Sequence, residues 1–311
     1  MTTMKAVVVH EYGGPEVLRY EEVPKPSLGK GDILIRVEAA GVNPGEAKIR
    51  QGDFAKYHTL PFILGYDVAG MVAEVARGVV DAQVGDAVYA NCDSTRNGGY
   101  AEFVAVRASE VAPRPRTLEA VHAASIPLSG LTAWQALADT AHLAPGQRVL
   151  VHGAGGAVGS FAVQFAKVIG GTVVATASEA DLEYVRGIGA DTVVDYKTQR
   201  FEDYAEDMDV VLDTIGGEMG KRSFAVLKPG GLLITFSSPP DTQAAEARGV
   251  RTHFMGVEPN AAQLGQIADL IDSGRVQTRV GLVLPLSEAR QAHERLALGG
   301  TRGKIVLTVS E

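Results

Sequence analysis

Apolar and polar residues follow two different periods along the chain. From Lys5 to about Val106, apolar residues come in short runs or alternate with polar ones, as in residues 33–38 and 68–75. Glycine, proline, aspartate and asparagine residues separate these runs and are typical of turns. Short alternating strands joined by such turns predict a small antiparallel β barrel or sandwich.

From about Pro127 the pattern changes to a strand followed by a helix, several times over. The predicted strands cover residues 148–152, 172–177, 192–195, 209–213 and 231–235, and the predicted helices include residues 158–169 and 182–187. Strands that alternate with helices favour an α/β fold, with a parallel sheet and crossover helices on both faces.

The first pattern returns at the end of the chain. After a predicted helix over residues 261–272, strand patterns reappear at 280–284 and 304–309. We therefore expect the C-terminal strands to rejoin the N-terminal β unit, with the α/β domain inserted between them. A cleft between two such domains is the expected ligand site.

Composition excludes several classes of protein. Among 311 residues, 37 acidic and 29 basic side chains give a net charge of −8, and no run of basic residues indicates a nucleic-acid partner. The single cysteine, Cys92, excludes a disulfide framework and any zinc site built on several cysteines. The most apolar long stretch, residues 149–170, contains polar residues and glycines, so we expect no membrane span and a cytoplasmic protein.

The strongest chemical signal is the glycine-rich turn within residues 149–159. A buried strand enters it and a helix leaves it, which is the context of a dinucleotide-binding turn, although Ala154 occupies the first glycine position. Backbone N–H groups at the start of a helix favour the negative diphosphate. The predicted phosphate-binding residues are Gly153, Gly156, Ala157, Val158 and Gly159. The alternative is a tight connection that binds no ligand.

The end of the next strand bears on the choice of cofactor. A carboxylate there would bind the ribose of NAD, but this chain has a small residue and a hydroxyl, Ser178, which favours NADP. Glu179 opposes this interpretation, whereas Tyr196 and Lys197, after the following strand, could hold a 2′-phosphate. Ser178 also fits the N-cap of a helix.

Many ordered motifs make the chain similar to the zinc-free quinone oxidoreductase branch of the medium-chain dehydrogenase/reductase superfamily. They lie at residues 40–44, 61–70, 85–88, 98–102, 127–134, 212–217, 228–231 and 303–306. The resemblance implies a GroES-like catalytic β domain over 1–122, completed by 279–311, and an inserted Rossmann domain with a doubly wound parallel sheet over 123–278. It also implies NADPH as cofactor and a homodimer.

The resemblance also indicates that no zinc is bound. The positions where related alcohol dehydrogenases place their catalytic zinc ligands correspond to Asn43, Tyr66 and Leu128 in this chain. None of these side chains offers a thiolate or an imidazole, so we expect no metal site.

The same resemblance suggests residues around the reacting groups. It places Asn43 and Thr132 near the nicotinamide, although the first also fits a turn before Pro44 and the second a helix start. Phe236 and Ser237 follow a strand and would lie at the nicotinamide end; core packing is the alternative for Phe236.

A proton donor is harder to assign from the sequence. Tyr66 and Lys48 are the candidates, with solvent water as the alternative, and Tyr66 or Asn43 would stabilise a developing oxyanion. We therefore expect an NADPH-dependent reductase of quinones or other α,β-unsaturated carbonyls. A 2-enoyl thioester reductase and a weakly active NADPH-binding sensor are the alternatives.

Overall fold

The computed structural model describes residues 2–309, which form sixteen β-strands and nine α-helices. The strands are β1 (Thr3–Val9), β2 (Leu18–Pro24), β3 (Asp32–Val42), β4 (Phe62–Ile63), β5 (Asp67–Val75), β6 (Ala87–Asn91), β7 (Phe103–Arg107), β8 (Val111–Pro113), β9 (Arg148–His152), β10 (Thr172–Ala177), β11 (Thr192–Asp195), β12 (Met208–Asp213), β13 (Leu227–Thr235), β14 (Arg251–Phe254), β15 (Val280–Pro285) and β16 (Lys304–Thr308). The helices are α1 (Pro44–Gln51), α2 (Ala120–Ala123), α3 (Pro127–Trp134), α4 (Ala157–Ile169), α5 (Leu182–Gly187), α6 (Glu218–Ser223), α7 (Thr242–Glu246), α8 (Ala261–Asp272) and α9 (Ala289–Leu298). Across residues 2–309, no helix combines the length and the hydropathy that crossing a bilayer requires.

The predicted α/β fold class is confirmed, and contacts divide the chain into two units. The first unit holds residues 2–128, 259–272 and 279–309, and the second holds residues 129–258 and 273–278. This division differs from the limits expected from the sequence at residues 123–128 and 259–272, which group with the first unit.

The first unit contains two β-sheets. A three-stranded sheet has the order β2-β1-β4, and a seven-stranded sheet has the order β15-β16-β3-β5-β6-β8, with β7 also paired to β3. β16 runs antiparallel to β3, with Ile305 opposite Val42. The C-terminal strand therefore rejoins the N-terminal β unit, as the sequence pattern predicted.

Helix α8 belongs to the first unit because polar contacts hold it there. The Tyr89 hydroxyl in β6 donates a hydrogen bond to the carbonyl oxygen of Leu264 at 2.6 Å. The carboxylate of Asp272 accepts the backbone N–H groups of Arg116 and Thr117 at 3.1 and 3.0 Å. Periodicity reveals the apolar face of a helix, but it does not reveal which partner covers that face.

The second unit is built on a six-stranded sheet with the order β11-β10-β9-β12-β13-β14, in which neighbouring strands are parallel. Leu150 of β9 joins a buried cluster with Phe224 and Ala245. Val149 and Val151 are also fully buried, and they point to the other face because side chains alternate along a strand. Both faces of the sheet are therefore covered, as a parallel sheet requires.

The strand order reverses at β9, which lies between β10 and β12. Because the strands are parallel, their carboxyl ends share one edge of the sheet. In open parallel sheets, ligands bind at this edge, where the order reverses. The glycine-rich turn after β9 lies at this point.

Candidate functional site

The turn after β9 is short and is tied to the neighbouring strand. β9 ends at His152 and α4 begins at Ala157, so residues 153–156 make the whole connection. The N–H of Ala154 donates to the carbonyl oxygen of Thr176 in β10 at 2.9 Å. Gly156, which precedes the helix, is exposed.

Two glycines allow close approach in this turn. A Cβ at position 159 would overlap the carbonyl oxygen of Gly153. A Cβ at position 155 would lie 2.9 Å from the Cβ, Cγ and Oδ2 atoms of Asp181. Any larger residue at either position would therefore displace the turn or the segment packed against it.

The start of α4 offers hydrogen-bond donors to an anion. The N–H groups of Ala157 and Val158 belong to the first turn, where a helix provides no carbonyl acceptor. Neither an acidic residue nor a capping side chain occupies this first turn. Both residues are only half-buried, so a ligand can reach them. These donors and the helix dipole fit the diphosphate of a dinucleotide.

His152 connects this turn to α6 through a chain of hydrogen bonds. The Ser223 hydroxyl donates to the carbonyl oxygen of Met219 at 2.7 Å, so it accepts the Nε2–H of His152 at 2.8 Å. Nδ1 is then the acceptor for the Thr176 hydroxyl at 3.1 Å. Burial lowers the pKa of His152 to about 3, so the imidazole is neutral at physiological pH.

The residues expected to select the cofactor follow β10 and β11, which pair directly. Tyr196 and Lys197 are exposed, so their side chains are accessible at this edge. The Ser178 hydroxyl is engaged instead, because it donates to Oδ2 of Asp181 at 3.0 Å.

Asp181 is a residue that the sequence analysis missed. The sequence pointed to Glu179 as the acid near the cofactor, but Glu179 is exposed. Asp181 is 9% exposed and packs against Gly155 in the turn. The only available signal was an acidic residue slightly more than twenty positions after the turn.

Two other predicted cofactor residues follow the carboxyl end of β13, which pairs with β12. Asp213 ends β12, and its Oδ1 accepts the N–H groups of Ile215 and Gly216, both at 2.9 Å. Phe236 and Ser237 follow β13 and are half-buried. In the same unit, Thr132 lies in α3 with 4% of its surface exposed.

In the first unit, Asn43 begins α1 and forms side-chain hydrogen bonds within the protein. Its Nδ2 donates to Glu46 at 3.2 Å and to Asp67 at 3.0 Å, and its Oδ1 accepts from Lys304. Asn43 is 1% exposed. Both N–H donors of the amide are therefore engaged within the protein, and Oδ1 has one acceptor site left beside its bond from Lys304.

Lys304 and Asp67 form an ion pair in the interior of the first unit. Nζ and Oδ2 are 2.8 Å apart, and the two side chains are 4% and 0% exposed. Oδ1 of Asp67 also accepts the N–H of Leu128 at 2.7 Å and Nδ2 of Asn91 at 3.2 Å. Such burial is tolerable only because both charges are paired and hydrogen-bonded. Two of the positions compared with zinc ligands, 43 and 128, therefore bond to this pair.

Tyr66, the third of these positions, has a buried hydroxyl with no hydrogen-bond partner within residues 2–309. Its backbone is fixed, since its N–H donates to Glu46 at 3.0 Å and its carbonyl oxygen accepts the N–H of Cys92 at 2.7 Å. Burial, and then the charge of Glu46, raises the pKa of the Tyr66 hydroxyl. The hydroxyl therefore keeps its proton and is a hydrogen-bond donor without an acceptor in residues 2–309.

A buried chain of polar groups holds Glu46 in place. The Tyr100 hydroxyl donates to Oε2 of Glu46 at 2.6 Å. Arg50 donates to Nδ1 of His293 at 2.9 Å, so the histidine proton is on Nε2, 3.4 Å from the Tyr100 oxygen. Burial lowers the pKa of His293 to about 3 and raises the pKa of Glu46. Glu46 in turn fixes the backbone of Tyr66.

Lys48, the second predicted proton donor, lies elsewhere on α1. It is exposed, whereas Glu46 and Ile49 on the same helix are buried. Between residues 2 and 309, the structure brings together no group of three or more His, Cys, Asp or Glu side chains that could hold a metal ion.

Known proteins resemble this chain over nearly its whole length. Family models match residues 29–116, as the alcohol dehydrogenase GroES-like domain, and residues 188–307, as zinc-binding dehydrogenase. The NADPH-dependent alkenal/one oxidoreductase, chloroplastic, of Arabidopsis thaliana is 37% identical, over 98% of this chain and 79% of the relative.

Solved structures are also similar to this chain over nearly its whole length. The quinone oxidoreductase from Coxiella burnetii is 32% identical, with a TM-score of 0.93 over 99% of this chain and 100% of the other. A mycobacterial protein in complex with NADPH is 31% identical, with a TM-score of 0.88 over 98% of this chain and 100% of the other.

Replacing Lys304 with Met is expected to destabilise the protein by about 3–5 kcal/mol. The substitution leaves the carboxylate of Asp67 buried without a countercharge. Urea unfolding followed by circular dichroism measures the loss. Lys30→Met, at an exposed lysine, is the control and should change the free energy of unfolding by less than about 0.5 kcal/mol. Equal losses of unfolding free energy in Lys304→Met and Lys30→Met would show that Asp67 does not need the countercharge of Lys304.

Acidification is expected to destabilise the second unit through His152. Its folded pKa of about 3 lies below the ordinary value of 6.5, so the unfolded chain takes up the proton first. The stabilisation is complete above about pH 6.5 and is lost progressively as the pH falls toward 3. Between about pH 7.5 and about pH 5 the expected loss is about 2 kcal/mol.

The fluorescence of Trp134, the single tryptophan and a residue of the second unit, can follow urea unfolding at each pH. His152→Gln should remove the part of this loss that His152 contributes, about 2 kcal/mol, and leave the comparable part of His293, whose pKa is also about 3. His253→Gln, which replaces an exposed histidine, should leave the loss unchanged. If His152→Gln loses as much free energy of unfolding on acidification as the wild type does, the assignment to His152 is refuted.

Proposed function

This chain belongs to the quinone oxidoreductase branch of the medium-chain dehydrogenase/reductase superfamily, and from that premise we propose that it is an NADPH-dependent reductase of quinones or other α,β-unsaturated carbonyl compounds, acting without zinc. The observation that carries the proposal is the unpartnered hydroxyl of Tyr66 at a position compared with a zinc ligand. It offers a hydrogen bond to an acceptor oxygen where related enzymes would use a metal.

The second unit provides the groups that would hold NADPH. The N–H groups of Ala157 and Val158 would bind the diphosphate, and exposed Gly156 would let the backbone approach it. Gly159 would let α4 pack closely on Gly153 in the turn. Exposed Tyr196 and Lys197, at the end of β11, would meet the 2′-phosphate. The name of the Arabidopsis relative and the NADPH complex of the mycobacterial protein support this choice of cofactor.

The nicotinamide end of the cofactor would meet Phe236, Ser237 and Thr132. When bound, NADPH supplies a hydride to an electron-poor carbon of the acceptor. The chain itself needs to orient the acceptor, exclude water and stabilise the negative charge that develops on its oxygen.

Tyr66 is the group proposed to stabilise that oxygen. Its raised pKa means that it donates a hydrogen bond without giving up its proton, so the proton would come from water. Asn43 and Glu46 position Tyr66 and do not react. Exposed Lys48 is not required by this arrangement, and the side chains of Asn43, Tyr66 and Leu128 lack the thiolate or imidazole that zinc prefers.

Partners and location are proposed from the sequence alone. We propose a homodimer in the cytoplasm whose partner is a small molecule and not nucleic acid. Light scattering would measure the oligomeric state, and fractionation of cells would measure the compartment.

Replacing Gly159 with Ala is expected to weaken NADPH binding by about tenfold or more, since the added Cβ would overlap the carbonyl oxygen of Gly153. A titration of NADPH fluorescence measures the dissociation constant. Gly265→Ala is the matched control, because a Cβ there, in helix α8, meets nothing within 4 Å. An unchanged dissociation constant in a folded Gly159→Ala variant would argue against the phosphate site.

Replacing Tyr66 with Phe is expected to lower kcat for enones and quinones by about ten- to a hundredfold, since one hydrogen bond to a charged oxygen is lost. NADPH binding should not change. The folded state should be as stable as the wild type or more stable, because the hydroxyl has no partner in residues 2–309.

A lower kcat together with unchanged NADPH binding and undiminished stability would distinguish a functional role of Tyr66 from a structural one. Tyr20→Phe, at a tyrosine that is 46% exposed, is the control and should leave both kcat and stability unchanged. Full activity in Tyr66→Phe would remove Tyr66 from the mechanism. The absence of NADPH oxidation by the wild type with every quinone and enone tested would overturn the proposed function.

A further inference from the structure

Asp181 brings a negative charge to the glycine-rich turn. It ends the short helical turn Glu179–Asp181 that links β10 to α5. Its side chain is packed so tightly against Gly155 that a Cβ on the glycine would lie 2.9 Å from Oδ2. A group bound at the turn would therefore lie in the field of this carboxylate.

Ser178 strengthens this arrangement. Its hydroxyl hydrogen is donated to Oδ2 of Asp181 at 3.0 Å, and the N–H of Asp181 donates to the carbonyl oxygen of Ser178 at 2.8 Å. The hydroxyl that would otherwise donate to a 2′-phosphate is therefore turned toward a carboxylate. The two bonds also hold the carboxylate in one place.

The nearby side chains act in opposite directions on a phosphate. Lys197 and Tyr196 are exposed after β11, and they would attract and hydrogen-bond a 2′-phosphate. The carboxylate of Glu179 is also exposed, so solvent screens its repulsion of the phosphate. A carboxylate beside the turn repels a doubly charged phosphate but accepts hydrogen bonds from ribose hydroxyl groups. The partly buried position of Asp181 makes its field less screened than that of an exposed acid.

We infer that Asp181 is a specificity-determining residue that restrains the preference for NADPH over NADH. This inference rests on the proposed dinucleotide site. We therefore expect the protein to bind both NADPH and NADH, with the carboxylate of Asp181 limiting its preference for NADPH.

The test compares binding of the two cofactors, independently of turnover. Fluorescence titrations with NADPH and NADH give the ratio of their dissociation constants. Asp181→Asn should shift this ratio about five- to tenfold in favour of NADPH, and about 0.5 M salt should reduce the shift because it screens the repulsion. Glu183→Gln, which removes one negative charge from the exposed side of α5, is the matched control and should shift the ratio less than about twofold.

Asp181→Ser is a second variant, since a serine hydroxyl can also accept a hydrogen bond from Ser178 but carries no charge. It should shift the ratio in the same direction. An unchanged ratio in both variants, or an equal loss of affinity for both cofactors, would overturn the inference while leaving the proposed function intact. A larger shift for Glu179→Gln than for Asp181→Asn would also overturn it. Failure of the wild type to bind either cofactor would refute the dinucleotide site itself.

Discussion

The buried pair of Lys304 and Asp67 is the interaction on which the geometry of the first unit depends. Two charges of opposite sign lie 2.8 Å apart in the protein interior, and each is tolerable only while the other is present. The pair joins the C-terminal strand β16 to β5. It also fixes Asn43 ahead of α1 and the N–H of Leu128 at the start of α3. The same carboxylate therefore bonds to the residue ahead of α1 and to the first turn of α3.

Local patterns predicted the second unit well because its chemistry is local. The glycine turn, its strand and its helix are contiguous in sequence, and β10, β11 and α5 begin and end at the predicted residues. The close approach that requires glycine at 159 involves Gly153, only six positions away. The glycine motif and the contact that requires glycine therefore lie within one short segment, which can be recognised from the sequence.

Long-range contacts could not be predicted in the same way. Lys304 meets Asp67 across 237 residues, and nothing near either residue indicates a partner. Asn43 looks available for a ligand in sequence, yet its amide bonds to Glu46, Asp67 and Lys304 in the interior. Asp181 was missed because its contact with Gly155 depends on how a short helical turn packs, not on periodicity.

These contacts also bear on the range of acceptors. The ammonium of Lys304, in the protein interior, donates hydrogen bonds to Asp67 and Asn43. In the proposed function, Tyr66 keeps its proton and would offer one hydrogen bond, which stabilises an oxyanion less than a metal ion would. Under that proposal an acceptor would have to delocalise most of the charge itself, as quinones and enones do through conjugation. Simple ketones lack that conjugation, and for them a single hydrogen-bond donor would leave the hydride step slow.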